Sequence, residues 1–223
     1  MRFDFKSLAK ELFRITKDGG VVVWVVGDQT INGSETGTSF KQALYFKYVG
    51  FNLHDTMICL KDGQGSTGSN KSYWQNFEYM FVFSKKDIKC FNLLKDRKNL
   101  SGILPVKKRK MGHRNKDNSI KGYRKYGSEL YGIRFNTWKY NNYNAGVEHP
   151  AIFPEQLARD HILSWSNEGD LILDPMCGSG TTCKMATLLN RNYIGIDISE
   201  KYIEEICRPR IKEAQRQTRI EFK

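Results

Sequence analysis

The residues with the clearest chemistry form one stretch: Asp174, Pro175, Met176, Cys177, Gly178, Ser179, Gly180, Thr181 and Thr182. An apolar run, Leu171-Ile172-Leu173, leads into them, so they read as a buried strand, a glycine-rich turn and the start of a helix. A second strand, Asn192 to Ser199, follows and puts Asp197 nineteen positions after Gly178. Glycines let the backbone approach a ligand closely, and a carboxylate on the next strand accepts from ribose hydroxyls. In that order, these elements predict a site for an adenosine-containing cofactor.

Such a turn needs a sheet and helices to hold it, and the rest of the chain supplies them. Residues 4–16 read as a helix: Asp4 caps it, Phe5, Leu8, Leu12 and Ile15 recur at helical spacing, and Asp18-Gly19-Gly20 stops it. Val21 to Val26 has the look of a parallel strand buried on both faces. It ends in Gly27-Asp28-Gln29, a polar turn at an edge where α/β sheets bind ligands, although such turns are often mere connectors. Ile31 to Thr38 reads as a polar loop. Ser39-x-x-Gln42 has capping-box form, predicting a helix to about Tyr48 that Gly50 ends. Further strands are expected at about 55–60 and 77–84, with a flexible loop over 61–70. A helix from Pro154, one from Thr181 and one from Ser199 complete the pattern, the last interrupted by Pro209.

From Lys85 to about Val147 the apolar periodicity weakens and basic and aromatic residues interleave. Lys107, Lys108, Arg109, Lys110, Arg114, Arg124 and Lys125 stand among Tyr123, Tyr126, Trp138, Tyr140 and Tyr143. Cations for phosphates and rings for bases suit a nucleic-acid surface; the plainer reading is a solvated loop. The net charge of +12 over 223 residues also favours a polyanionic partner. Five scattered cysteines and four histidines show neither Cys-x-x-Cys nor His-x-x-x-His spacing, so no disulfide scaffold and no metal are expected. The longest apolar run is too short for a bilayer and no signal peptide is evident, which points to the cytoplasm.

Asp174 to Thr182 resembles the Asp-Pro-Phe-x-Gly-Ser-Gly-Thr-Thr signature of DNA amino-methyltransferases that use S-adenosylmethionine. His149-Pro-Ala-Ile-Phe-Pro-Glu-Gln-Leu157 is similar to that family's His-Pro-x-x-Phe-Pro-x-x-Leu segment, and Phe77 to Lys85 to the strand before its recognition region. The cofactor half comes last, as in the permuted β group, which methylates the exocyclic nitrogen of adenine or cytosine. The resemblance implies an α/β fold: a Rossmann-like methyltransferase sheet in two parts, 1–85 and 148–223, with a basic recognition insertion at 86–147. It implies that Asp174, Pro175, Met176, Cys177, Gly178, Ser179, Gly180, Thr181 and Thr182 cradle the cofactor. Asp197 would take the ribose, and Phe153 and Pro154 would close one side. Met176 replaces the usual Phe at little loss. Each has a plain alternative: Asp174 as a turn cap, Asp197 as a helix cap, Phe153 as core. The implied partner is double-stranded DNA, in restriction-modification or phage DNA protection within a bacterial, archaeal or phage-infected cell.

One family element is missing from the sequence. The catalytic Asp/Ser/Asn-Pro-Pro-aromatic tetrapeptide polarises the target amine and stacks on the flipped base, yet all five prolines here are isolated. In the permuted order it precedes the helix near Asp4, on a strand expected between Val21–Val26 and Leu171–Asp174. The chain is therefore expected to begin just after it, and no catalytic residue is assigned. A second polypeptide supplying that segment, a truncation, or a domain that binds without catalysing all remain open. An RNA or small-molecule methyltransferase is the competing enzyme reading.

Overall fold

The computed structural model describes residues 3–62, 73–99, 107–110, 123–126, 129–141 and 154–221. The 61–70 loop therefore lies almost wholly outside them, as do Arg114, Tyr143, His149 and Phe153.

Helix α1, Phe5–Ile15, starts as its sequence predicts: the Asp4 carboxylate accepts from the Ser7 amide at 3.2 Å. Strand β1, Val21–Val26, follows, then a small hairpin, β2 (Thr30–Ile31) with β3 (Ser34–Glu35), inside the expected loop. Helix α2 spans Thr38–Tyr48, and Gly50 leaves it at φ +116°, a backbone few side chains tolerate. Strands β4, Asn52–Asp62, and β5, Phe77–Ser84, pair antiparallel with a bulge at Leu53/Asp55.

β5 also pairs antiparallel with β1, which corrects the expected parallel strand buried on both faces: of β1 only Trp24 is buried. A continuous apolar run signals covered faces but carries no direction. The better-covered strand is β5, whose last five residues are all buried. Phe81 and Phe83 pack with Phe46, Phe51 and Trp24 under α1 and α2. Met80 alternates to the opposite face, where the His161 ring meets its sulfur. Later elements fill the sheet's far edge. β10, Thr137–Asn141, runs parallel to β4 at the end of the order β1-β5-β4-β10. Trp138 and Tyr140 are buried in it, so these two rings are core and not part of a base-stacking surface.

A separate compact unit covers Leu93–Phe135. Within it β6, Arg97–Lys98, pairs with β9, Tyr131–Gly132, and β7, Lys107–Lys110, forms an antiparallel ribbon with β8, Tyr123–Tyr126. The Arg134 guanidinium binds the Asp96 carboxylate and holds it below the usual range against the opposing effect of burial.

The last third packs on the first. Helix α3, Glu155–Trp165, places His161 on Trp138, ring centroids 4.6 Å apart, and turns Ala158 and Ile162 towards α4, Thr181–Leu188. Strand β11, Leu171–Asp174, pairs in parallel with β12, Asn192–Gly195. Its Ile172 joins the α3/α4 cluster while its Leu173 joins the cluster under α1 and α2. β11 thus lies between the same two helical layers as the main sheet, yet it pairs with no strand of that sheet among the described residues. A π-helical turn, Tyr202–Cys207, then leads into α5, Arg208–Glu221. Pro209 explains the wide turn, since it donates no amide and crowds the carbonyl four residues back. No helix among the described residues is long and apolar enough to cross a membrane.

Candidate functional site

The parallel register of β11 and β12 sets Asp174 beside Gly195, so both strands end together. The chain then closes a compact turn. The Ile196 amide donates to the Asp174 carbonyl at 2.9 Å, the Cys177 amide to the Ile196 carbonyl at 2.9 Å, and the Gly180 amide to the Cys177 carbonyl at 2.7 Å. Gly178 and Gly180 take φ of +47° and +75°. A side chain at Gly180 would also strike Cys207, whose Cβ and Cα lie 3.1 and 3.2 Å from the place of a Cβ. Glycine at this position is required twice over.

Asp197 does the closing. One carboxylate oxygen accepts from the Gly178 amide and the other from the Ser199 amide, each at 2.8 Å. Each oxygen keeps further acceptor capacity, so the capping reading and a ligand-binding role are compatible. Asp174 accepts from the Met176 amide at 3.1 Å, which makes it a turn cap as well. Gly180 is the N-cap of α4 and offers no side-chain acceptor, and no side chain among the described residues caps the helix. Thr181 and Ser179 are buried and Thr182 is half-buried, while Met176 is 49% exposed. Beyond Asp197, Ile196 and Ile198 stand 53% and 92% exposed.

Three residues that sequence reasoning did not single out hold this turn in place. The Arg210 guanidinium donates to the Ser179 carbonyl at 2.7 Å, its hydroxyl at 3.0 Å and the Thr181 hydroxyl at 3.2 Å. Its other nitrogen meets Glu155 at 2.6 Å, and Lys184 meets the same carboxylate oxygen at 2.7 Å. Burial works to raise the Glu155 pKa, but the bonds from Lys184 and Arg210 hold it below the usual range. The helices α3, α4 and α5 thereby share one ionic clasp under the turn. Of the expected closing pair, Pro154 is the N-cap of α3, next to Glu155.

The Gly27-Asp28-Gln29 turn proves structural. Asp28 accepts from the Ser39 amide at 3.1 Å, from the Ser39 hydroxyl and from Thr36 at 3.2 Å, so it caps α2 from a distance. Burial opposes its ionisation, but these bonds hold its pKa down. The expected capping box at Ser39 is corrected accordingly: Gly37 is the N-cap, and Gln42 accepts from the Trp24 indole at 2.7 Å. Of the candidate DNA-contacting residues, Lys107 to Lys110 form β7, and Arg124 and Lys125 lie in β8. Their Cα register sets Lys108 opposite Lys125 and Arg109 opposite Arg124.

Comparison with known proteins agrees with this geometry. A family model for N6- and N4-directed methyltransferases, described as DNA methylase, matches residues 3–208. The orphan methyltransferase M.BamHII of Bacillus amyloliquefaciens is 52% identical over 94% of this chain and 81% of its own length. Among solved structures, M1.HpyAVI in complex with SAM superposes with a TM-score of 0.64 at 20% identity, over 94% of this chain and 83% of that one. The cytosine-N4-specific PvuII DNA methyltransferase gives 0.65 at 18% identity, over 96% and 74%.

Proposed function

The chain belongs to the DNA methylase family, and we propose on that premise that Asp174 to Thr182, with Asp197, form its S-adenosylmethionine cradle. Enzymes of this family methylate the exocyclic amino group of adenine or cytosine in DNA. When bound, the cofactor supplies an electrophilic methyl group on a sulfonium. The first amides of α4, that of Thr181 among them, and the Thr182 hydroxyl would receive the methionine carboxylate. Asp197 turns its free lone pairs to the ribose hydroxyls. Met176, Ile196 and Ile198 would offer an apolar surface for adenine, and Pro154 would border the methionine end, where the resemblance also assigns Phe153. One observation carries the reading: Asp197 ties the Gly178 amide at 2.8 Å beside a helix that no side chain caps among the described residues.

The β7–β8 ribbon is the proposed DNA reader, within a recognition region that corresponds to the compact unit Leu93–Phe135, narrower than the 86–147 expected from composition because β10 belongs to the main sheet. The Cα register that pairs Lys108 with Lys125 and Arg109 with Arg124 gathers four cationic residues on one ribbon, a composition suited to phosphates. A two-stranded ribbon also fits the major groove. Lys107, Lys110 and Arg114 extend the basic character along the same segment. Such a reaction belongs in the cytoplasm with the DNA.

Catalysis needs a polarising group that the 223 residues do not contain as a Pro-Pro-aromatic string. We place it on one further parallel strand between β1 and β11, whose facing edges are unpaired among the described residues. A second polypeptide is one source of that strand. The test is transfer of labelled methyl to unmethylated genomic DNA by the pure chain, with and without a peptide bearing an apolar strand followed by Asp-Pro-Pro-Tyr. Incorporation only with the peptide supports the reading; robust incorporation by the chain alone refutes this placement of the catalytic group.

A further inference from the structure

The compact unit Leu93–Phe135 holds thirteen Lys and Arg residues against three Asp and Glu, so ten of the chain's net twelve positive charges fall within it. Two of its arginines differ in how they are used. Arg134 closes on a carboxylate: Nε lies 3.0 Å from both oxygens of Asp96, and a terminal nitrogen joins it there. Arg97, next to Asp96 in the chain, meets no carboxylate among the described residues. It bonds a backbone carbonyl and faces a ring instead.

Three neighbours fix the Arg97 guanidinium. Its Nε donates to the Ile133 carbonyl at 2.9 Å, and its central carbon stands 4.6 Å from the centroid of the Phe135 ring. Gly132, opposite Arg97 in the β6–β9 register, leaves the room: a Cβ there would lie 2.5 Å from Nη2 and 3.2 Å from Cζ. The two terminal nitrogens carry four N–H donors, and none has an acceptor among the described residues. Arg97 is half-buried, while Phe135 beside it is 63% exposed. A guanidinium that served the fold alone would close its fork on a carboxylate, as Arg134 does. This one is oriented and left open.

We propose that Arg97 reads one guanine of the DNA target, its two terminal nitrogens donating to N7 and O6. Those acceptors lie side by side on the major-groove edge of guanine, and no other base presents such a pair there. A fork already tethered through Nε has less rotamer freedom to lose on binding than a free side chain. Phe135 and Gly132 are positioning residues: the ring carries the guanidinium and the glycine admits it. A cation that only met phosphate would need neither, because phosphate contacts carry no sequence information and ask for no fixed fork. The proposal rests on the DNA-binding reading above, and adds a base contact to the phosphate contacts of the β7–β8 ribbon.

A random duplex pool selected on the wild-type chain gives the bound motif. Each guanine of that motif is then replaced in turn by 7-deazaguanine, which lacks the N7 acceptor. Anisotropy titrations of wild type, Arg97→Ala and Gly132→Ala weigh each contact, and thermal unfolding establishes which variants are folded; where Arg97→Ala is not, Gly132→Ala decides. One guanine should stand out. Its replacement weakens wild type about fivefold or more, leaves Arg97→Ala unaffected, and costs Gly132→Ala less than wild type. A motif without guanine, or an undiminished response in a folded variant, would overturn the proposal. So would an Arg97→Ala loss equal for every sequence with a salt slope lowered by about 1, the mark of a phosphate contact. A wild-type chain that binds no duplex overturns the DNA-binding reading itself, and the guanine contact with it.

Discussion

The Arg210 guanidinium lies 2.7 Å from the Ser179 carbonyl, while the Asp197 carboxylate holds the neighbouring Gly178 amide at 2.8 Å. The turn is thus held by a cation and an anion, and only the anion is in the strand-turn-strand motif. Arg210 comes from a helix that the motif does not include, and it answers to Glu155 and, through that carboxylate, to Lys184.

Arg210→Gln should therefore lower stability by about 1–3 kcal/mol, since Glu155 and Ser179 lose a charge-assisted donor. Arg210→Lys keeps the charge but loses the planar fork, so its cofactor affinity should fall between those of Gln and the wild type. Thermal unfolding and calorimetric titration of the three proteins check this. Equal behaviour of Lys and the wild type would show that the fork is irrelevant.

Gly180→Ala should destabilise the chain by about 1–3 kcal/mol, because the left-handed backbone at φ +75° and the contact with Cys207 both oppose a Cβ. Pairing it with Cys207→Ala, which removes the sulfur, should recover part of the loss but not the backbone strain. Chemical denaturation of the single and double variants provides the numbers.

His161 is 6% exposed, with Trp165 donating to Nδ1 at 3.3 Å and Met80 sulfur 3.3 Å from Nε2. Burial pushes its pKa down to about 3 from an ordinary 6.5. The unfolded chain binds the proton first, so this contribution is complete above pH 6.5 and declines as pH falls towards 3. The slope is at most about 1.4 kcal/mol per pH unit. His161→Phe should flatten the stability profile in that window, as read by denaturant unfolding at a series of pH values.

The ribbon makes an electrostatic prediction. Lys108→Ala with Arg109→Ala should weaken DNA binding and reduce the slope of log affinity against log salt by about 1 for each phosphate no longer neutralised. Binding of S-adenosylmethionine should not change. A salt titration of DNA affinity by fluorescence anisotropy reads the first, and calorimetry the second.

The sequence made local elements legible wherever local chemistry decides them. The Asp4 cap, the bounds of β5 and the strand-turn-helix at Asp174–Thr182 all follow from spacing and turn residues. It was silent on pairing. Val21–Val26 has the composition of a parallel strand, but a neighbour far along the chain decides its direction. β10 was hidden among lysines and asparagines, although the alternation of Trp138, Lys139 and Tyr140 carried a period-two signal for one buried face. Ser39 offered a capping box, and Asp28, eleven residues earlier, took the amide instead. The ionic clasp had no local signature at all, since Glu155, Lys184 and Arg210 meet only after three helices have packed.

The central claim is that Asp197 shapes the turn and takes the ribose of S-adenosylmethionine. Calorimetric titration of the cofactor into wild type, Asp197→Asn and Asp197→Ala tests it most directly. Losing a charged acceptor is worth about 1.5–3 kcal/mol, so Ala should bind roughly 10- to 100-fold more weakly. Asn, which retains one carbonyl acceptor, should fall between. Folded Asp197→Ala that binds S-adenosylmethionine as tightly as wild type would contradict the account.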